Sequence, residues 1–253
     1  MKALPGKRIL VTRAQKQSAA LCDALAAEGA LPIPFATIEI SPLTNFDRID
    51  IALNDLAAGQ YAWVIFTSVN GVNACQERML MSGVDTQIFG AARMAAIGPS
   101  TAAALRILGA RVDFVPQEYV AERILDGLGD VAGKRILLPR AEIARPALAE
   151  ALAQAGALVD EVPVYHTLLP PPDPLGLAAL RQGVDVITFT SSSTVRNFVS
   201  LAGIETGAAR IACIGPVTAQ TAQSLGLPVH IVARDYTIPG LVQAIKEHYD
   251  AKP

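Results

Sequence analysis

Much is missing from this chain of 253 residues. No run of about eighteen apolar residues escapes a charge or a helix breaker, so no bilayer-spanning helix is expected. The opening residues Met1 to Arg8 have no apolar signal stretch and pass straight into strand-like sequence, which predicts a cytoplasmic protein. Cys22, Cys75 and Cys213 form an odd, widely spaced set without C-x-x-C, and His166, His230 and His248 stand apart. Neither a disulfide framework nor a metal site is indicated, and buried inert thiols are expected. The formal charge is only -2, so no broad basic field would draw nucleic acid or an anionic membrane. Nor is there a G-x-G-x-x-G, a G-x-x-x-x-G-K-[ST], an H-E-x-x-H or a G-x-S-x-G. Dinucleotide, nucleoside triphosphate, zinc and serine-hydrolase chemistry recede with them.

What the sequence does have is a repeat. Residues 6–31 recur without a gap as residues 133–158, with fifteen of twenty-six positions identical. Residues 62–68 recur as 185–191, residues 96–102 as 213–219, and Glu118-Tyr119 as Asp235-Tyr236. A period this long means duplicated domains, not a solenoid of short units. At 51% hydrophobic composition, each half can build its own core.

Strands are predicted over 8–12, 62–67, 94–97 and 112–115, and again over 135–138, 184–189, 210–214 and 229–232. Helices are predicted between them: from Ser18 to a stop at Gly29, then over 46–58, 69–80, 99–108, 120–128, 145–155, 194–201, 217–225 and 239–248. Trp63 belongs to the core. Pro32 and Pro34 make residues 31–35 an edge strand or the start of a connector. Stiff, extended connectors are expected at 36–42 and at the proline-rich 163–174. Near-continuous apolar strands alternating with helices imply parallel sheets covered on both faces.

In such sheets ligands bind beyond the carboxyl ends of the strands. Those positions repeat as a set. They are Thr12-Arg13 and Pro139-Arg140, Thr67-Ser68-Val69-Asn70-Gly71 and Thr190-Ser191-Ser192-Ser193-Thr194, then Gly98-Pro99-Ser100-Thr101 and Gly215-Pro216-Val217-Thr218. In the Gly-Pro-x-Thr turns Pro takes the first helical position, and the next amides point outward from a helix N-terminus that accepts a carboxylate or phosphate. A plain helix start with Thr capping its own backbone accounts for any single turn. Four hydroxyl-rich turns at equivalent places favour binding. Arg13 and Arg140 either clamp carboxylates or bridge to an acidic neighbour. Tyr165 breaks the symmetry, since its partner position holds Ile38. Its phenol either donates into a cleft or staples the connector to a domain. Tyr119 and Tyr236, each just before the last helix of a half, close over a ligand or pack on the sheet end.

The residues R-I-L-V-T-R, V-I-F-T-S-V-N, A-I-G-P-S-T-A, L-L-P-R-A with V-P-V-Y-H-T, I-T-F-T-S-S-S, C-I-G-P-V-T-A and L-P-V-H run through nearly the whole chain. In order and spacing the chain resembles the uroporphyrinogen-III synthase family. The resemblance implies an α/β protein of two flavodoxin-like parallel-sheet domains joined by a two-strand connector, with residues 1–37 and 168–253 in one domain and 41–163 in the other. It implies a cofactor-independent lyase of tetrapyrrole and heme biosynthesis. The linear tetrapyrrole hydroxymethylbilane would be closed to uroporphyrinogen III with loss of water and inversion of the terminal ring through a spiro intermediate. Tyr165 matches the family's connector tyrosine, which would assist departure of the hydroxyl, and Thr101 and Thr218 match its Gly-x-x-Thr loops. The expected substrate-binding set is Arg13, Ser68, Asn70, Ser100, Thr101, Tyr119, Arg140, Ser191, Ser192, Ser193, Val217 and Thr218. A monomer is expected, with no nucleic acid, membrane or metal partner. A non-catalytic two-lobed sensor of a small anion is the alternative. A sugar-binding α/β protein is less favoured, because no acidic residue stands at a strand end.

Overall fold

Short apolar strands alternate with helices from end to end in a computed structural model that describes residues 3–117 and 121–250. The chain begins with β1 (Arg8–Val11), α1 (Gln15–Ala27) and β2 (Leu31–Pro34). It continues through β3 (Glu39–Pro42), α2 (Asp47–Ala57), β4 (Trp63–Phe66), α3 (Val69–Ser82), β5 (Arg93–Ala96) and α4 (Pro99–Ile107). Next come β6 (Arg135–Ala141), α5 (Ala147–Gln154) and the long β7 (Leu158–Leu168). The remainder is α6 (Pro174–Gln182), β8 (Val186–Phe189), α7 (Ser192–Ala202), β9 (Arg210–Cys213), α8 (Pro216–Ser224), β10 (Val229–Val232) and α9 (Ile238–Asp250).

These elements form two units, Met1–Glu39 with Leu168–Pro253 (unit 1) and Ile40–Thr167 (unit 2). Unit 1 carries the sheet β10-β9-β8-β1-β2, and unit 2 the sheet β3-β7-β6-β4-β5. Read from β2, the first order is the flavodoxin-like one, in which the chain starts inside the sheet, moves to one edge, then returns to build toward the other. The second repeats it from β7, with β3 added outside. The repeated stretches therefore fall in different units, β1-α1-β2 in unit 1 and β6-α5-β7 in unit 2. Every register between β1, β2, β8, β9 and β10, and between β4, β5, β6 and β7, is parallel.

Burial explains the composition of the strands. All four residues of β4 and of β8 are buried, as expected where helices cover both faces. Phe35, Phe189 and Phe198 pack edge to face on one side of the unit 1 sheet, and Leu21, Leu25, Leu241 and Ile245 cover the other. Trp63 is 1% exposed, with the Arg93 guanidinium 4.1 Å from its ring centroid. Cys75 and Cys213 are buried, and desolvation pushes each thiol up to about 12, which leaves them inert. The two prolines of β2 sit on an edge, where a missing N–H costs no ladder bond.

Three predicted elements differ in the structure. The strand expected over 112–115 is reduced to a single bridge between Phe114 and Ala95. There the Asp113 carboxylate accepts from the Met94 N–H at 2.9 Å, so a side chain competes with the ladder. The helix expected over 120–128 is a 3₁₀ turn over Ala121–Gly127. Gly127 lies so close to Phe114 that a Cβ would come within 2.1 Å of the ring. The proline-rich connector runs as strand to Leu168 and is still extended at Asp173, but a helix that was not expected, α6, begins at Pro174. Asp173 caps α6 by accepting from the Leu175 N–H at 3.0 Å, with Pro174 as its first residue, a start signal that the neighbouring prolines obscured. Among the described residues no helix is long and apolar enough to cross a membrane.

Candidate active site

In each unit the strand order reverses at one point, between β1 and β8 in unit 1 and between β6 and β4 in unit 2. Adjacent crossovers leave in opposite directions there, which opens a crevice at the carboxyl ends of the strands. Thr12-Arg13 and Thr190-Ser191-Ser192-Ser193 border that point in unit 1, and Arg140 and Thr67-Ser68 border it in unit 2. The Gly-Pro-x-Thr turns begin α4 and α8, one strand further out.

The two kinds of turn differ in what they leave open. Ser68 caps α3 with its own hydroxyl, which accepts from the Gly71 N–H at 3.1 Å. Ser191 caps α7 in the same way, accepting from the Thr194 N–H at 3.2 Å, while Thr194 Oγ1 accepts in return from the Ser191 N–H. Gly98 and Gly215 have no side chain with which to cap α4 and α8. The amides of Ser100 and Thr101, and of Val217 and Thr218, therefore stay available to an anion. Thr101 is 4% exposed and Thr218 5%, yet neither hydroxyl is taken up by a hydrogen bond among the described residues. The sequence allowed Thr to cap its own helix here. The structure instead gives the capping to the serine turns.

Among the remaining hydroxyls, that of Ser192 is committed. Ser192 Oγ lies 2.7 Å from Thr221 Oγ1, which itself donates to the Val217 carbonyl, so the Ser192 proton must go to Thr221. Ser193 and Asn70 are half-buried in the first turns of α7 and α3, and Ser100 is exposed in that of α4. Tyr119 lies outside the described residues. Tyr236 packs its ring on Gly215, where a Cβ would sit 3.2 Å from it, so that tyrosine supports the sheet end.

Tyr165 sits on β7 with its ring in the unit 2 core and is 7% exposed. Its phenol oxygen is 3.1 Å from Ser68 Oγ. The next residue, His166, alternates outward as strand geometry requires, and its Nδ1 is 2.8 Å from Glu142.

Arg13 and Arg140 have parted company. Arg140 is buried, donates to Glu161 Oε2 at 2.6 Å and to the Arg145 carbonyl, and keeps a buried Nε without a partner. Arg13 has no hydrogen-bond or ion-pair partner among the described residues, and burial lowers its pKa from the ordinary arginine value. A half-buried guanidinium without a counter-charge is open to an incoming carboxylate.

Sequence reasoning overlooked the buried groups that fix Arg13 in place. Thr12 Oγ1 donates to the Thr188 carbonyl at 2.6 Å and Thr37 Oγ1 to the Thr12 carbonyl at 2.8 Å. Asn197 Nδ2 donates to the Thr37 carbonyl at 2.7 Å. These bonds satisfy carbonyls that the sheet releases where β1, β2 and β8 diverge. Thr188 was the available signal, since a hydroxyl in a strand buried on both faces must find a backbone acceptor, here Leu10 at 3.1 Å. A separate cavity of about 410 Å³, lined by His230, Arg234, Asp235, Gln243, Glu247 and His248 among others, lies along β10 and α9 and includes none of the hydroxyl turns. No cluster of His, Cys, Asp and Glu suited to a metal occurs among the described residues.

Fold and turns together define a duplicated two-domain α/β protein, with connector strands between its domains and uncapped helix N-termini at equivalent places in both. The family model described as uroporphyrinogen-III synthase HemD matches residues 19–243. A uroporphyrinogen-III synthase of Synechococcus elongatus is 38% identical, with 96% of each chain covered. One of Chlorobaculum parvum is 26% identical, covering 95% of this chain and 98% of that one. Among solved structures, a mutant uroporphyrinogen III synthase of Thermus thermophilus shares the fold at a TM-score of 0.69 and 21% identity, over 98% of this chain and all of that one. A uroporphyrinogen-III synthetase of Helicobacter pylori does so at 0.63 and 18%, over 94% and 97%. The chain belongs to the uroporphyrinogen-III synthase family.

Proposed function

We propose that the protein is a monomeric, cytoplasmic, cofactor-independent lyase that closes hydroxymethylbilane to uroporphyrinogen III, with loss of water and inversion of the terminal ring. The observation that carries this reading is the pair of uncapped helix N-termini, one in each unit, each with an uncommitted threonine hydroxyl. Such termini suit a flexible polycarboxylate. They supply partial positive charge and free donors without a strongly basic surface, in keeping with a net charge of -2.

In this reading the amides of Ser100, Thr101, Val217 and Thr218 and the hydroxyls of Thr101, Thr218, Ser191 and Ser193 hold carboxylates, with Arg13 as the ionic anchor. Asn70, in the first turn of α3, belongs to the same expected set. Ser192 joins the set only by releasing Thr221. Arg140 joins only by giving up Glu161 or the Arg145 carbonyl. Holding the folded substrate so that the right carbons meet contributes a proximity effect of about 7 to 11 kcal/mol. Tyr165 donates its phenolic proton to the departing hydroxyl, which leaves as water. The test is to incubate the protein with freshly generated hydroxymethylbilane and separate the isomers. A type III product is expected. Type I alone, the product of spontaneous closure, would leave a binding protein without this activity.

A further inference from the structure

We propose that Ser68 is a positioning residue for Tyr165, turning the phenolic proton outward by donating its own. The inference rests on the reading above, in which Tyr165 protonates the departing hydroxyl.

The geometry supplies the reason. Ser68 Oγ already accepts from the Gly71 N–H at 3.1 Å and lies 3.1 Å from the Tyr165 oxygen. A hydroxyl carries one proton, so the pair has two arrangements. If Tyr165 donates to Ser68, its proton points into its own unit and cannot reach a substrate. If Ser68 donates to Tyr165, the phenolic proton is the one left over. Ser68 is held in place for this by its backbone, as the cap of α3. Tyr165 is held by the core around its ring, with 7% of its surface exposed. Neither group needs to move for the bond to form.

The second arrangement also serves the step itself. As the carbon–oxygen bond of the hydroxymethyl group breaks, the oxygen takes the phenolic proton and leaves as water. The phenolate that results accepts the Ser68 hydrogen bond, a charge-assisted bond stronger than the neutral one before it. The proton shed when the ring closes then restores the phenol. The bond is stronger after proton transfer than before, so it lowers the barrier without tightening substrate binding.

Unit 1 offers a natural contrast. Its equivalent serine, Ser191, caps α7 in the same manner, but Ile38 stands where Tyr165 would be, so the serine–tyrosine pair has no counterpart at that place in unit 1.

A double-mutant cycle tests the proposal. Ser68→Ala should lower kcat by about tenfold, the worth of one such hydrogen bond, with KM changed less than about twofold. The same substitution in a Tyr165→Phe background should have no further effect, and Ser68→Thr should restore kcat. Ser68→Gly serves where Ser68→Ala folds poorly, because glycine starts a helix nearly as well as serine but has no hydroxyl. A raised KM at unchanged kcat would overturn the proposal and make Ser68 a direct substrate ligand. So would an equal loss of kcat in both backgrounds. An unchanged kcat in Tyr165→Phe alone would instead remove Tyr165 from the reaction, a failure of the underlying reading that is distinct from the other two.

Discussion

Arg13 and Arg140 began as the same residue in two copies of one strand, and their surroundings have since taken them to opposite ends of the electrostatic scale. Arg140 is neutralised inside its own unit by Glu161, whereas Arg13 has no counter-charge among the described residues. The difference lies in the second strand of the repeat. Glu161 sits on β7, opposite Leu138 in the register, and its counterpart in the first copy is Pro34 on β2. A proline cannot neutralise an arginine. The same duplication thus yields a structural cation in unit 2 and an available one in unit 1.

The sharpest way to break this comparison is to remove each guanidinium in turn. Arg140→Met should destabilise by about 2 to 3 kcal/mol in urea unfolding, since it strands the Arg145 carbonyl and Glu161, whose partial exposure limits the cost. Arg13→Met should change stability by less than about 0.5 kcal/mol, because no partner is lost, yet raise KM about tenfold. Equal stability losses in the two variants would erase the distinction.

A smaller contrast separates the capped turns from the uncapped ones. Ser191→Ala removes a cap and should cost about 1 kcal/mol. Thr218→Val removes a hydroxyl with no internal partner and should cost less than about 0.5 kcal/mol, while raising KM a few-fold. A Thr218→Val variant as unstable as Ser191→Ala would mean that its hydroxyl belongs to the fold.

The smallest effects are expected at the opposite strand ends, where each unit has an ion pair of its own at a different place in the repeat. Lys7 meets Asp185 at 2.9 Å in unit 1, and Arg135 meets Asp160 at 2.6 Å in unit 2. Burial pushes both carboxyls up. Hydrogen bonds from Lys7 and the Arg8 N–H, or from Tyr61 and Arg135, outweigh it and hold them below the ordinary aspartate range. A depressed folded pKa gives stability that is complete above the unfolded value, about 3.9, and is lost as pH falls through the folded one. Urea midpoints should therefore be level above about pH 5 and fall below about pH 4. Asp185→Asn and Asp160→Asn should each flatten that fall, by under about 1 kcal/mol for such half-exposed pairs. A fall beginning near neutral pH would point to other groups.

Most of the strands and helices were legible because each carries its own signal, an apolar run of four or five residues, a Gly-Pro start or a glycine stop. Gly29, with φ of 90°, ends α1 where a side chain would be strained. Residues 112–128 were not legible. Their apolar pattern suggested a strand and a helix, but Asp113 and the fit of Gly127 against Phe114 act between segments distant in sequence. The hydroxyl turns of the candidate site could be listed from the repeat. Which of their protons are already committed could not.

By itself, the sequence determined the duplication, the alternation of strands with helices and the residue types at the strand ends, because periodicity and turn chemistry act over a few neighbouring positions. The family resemblance already placed residues 1–37 with 168–253, but only the tertiary structure decided that Arg140 is neutralised while Arg13 is not, and that Ser68 meets Tyr165. Each of these depends on which distant segments pair, and hydrogen bonds and ion pairs form across a few ångströms of space regardless of separation along the chain.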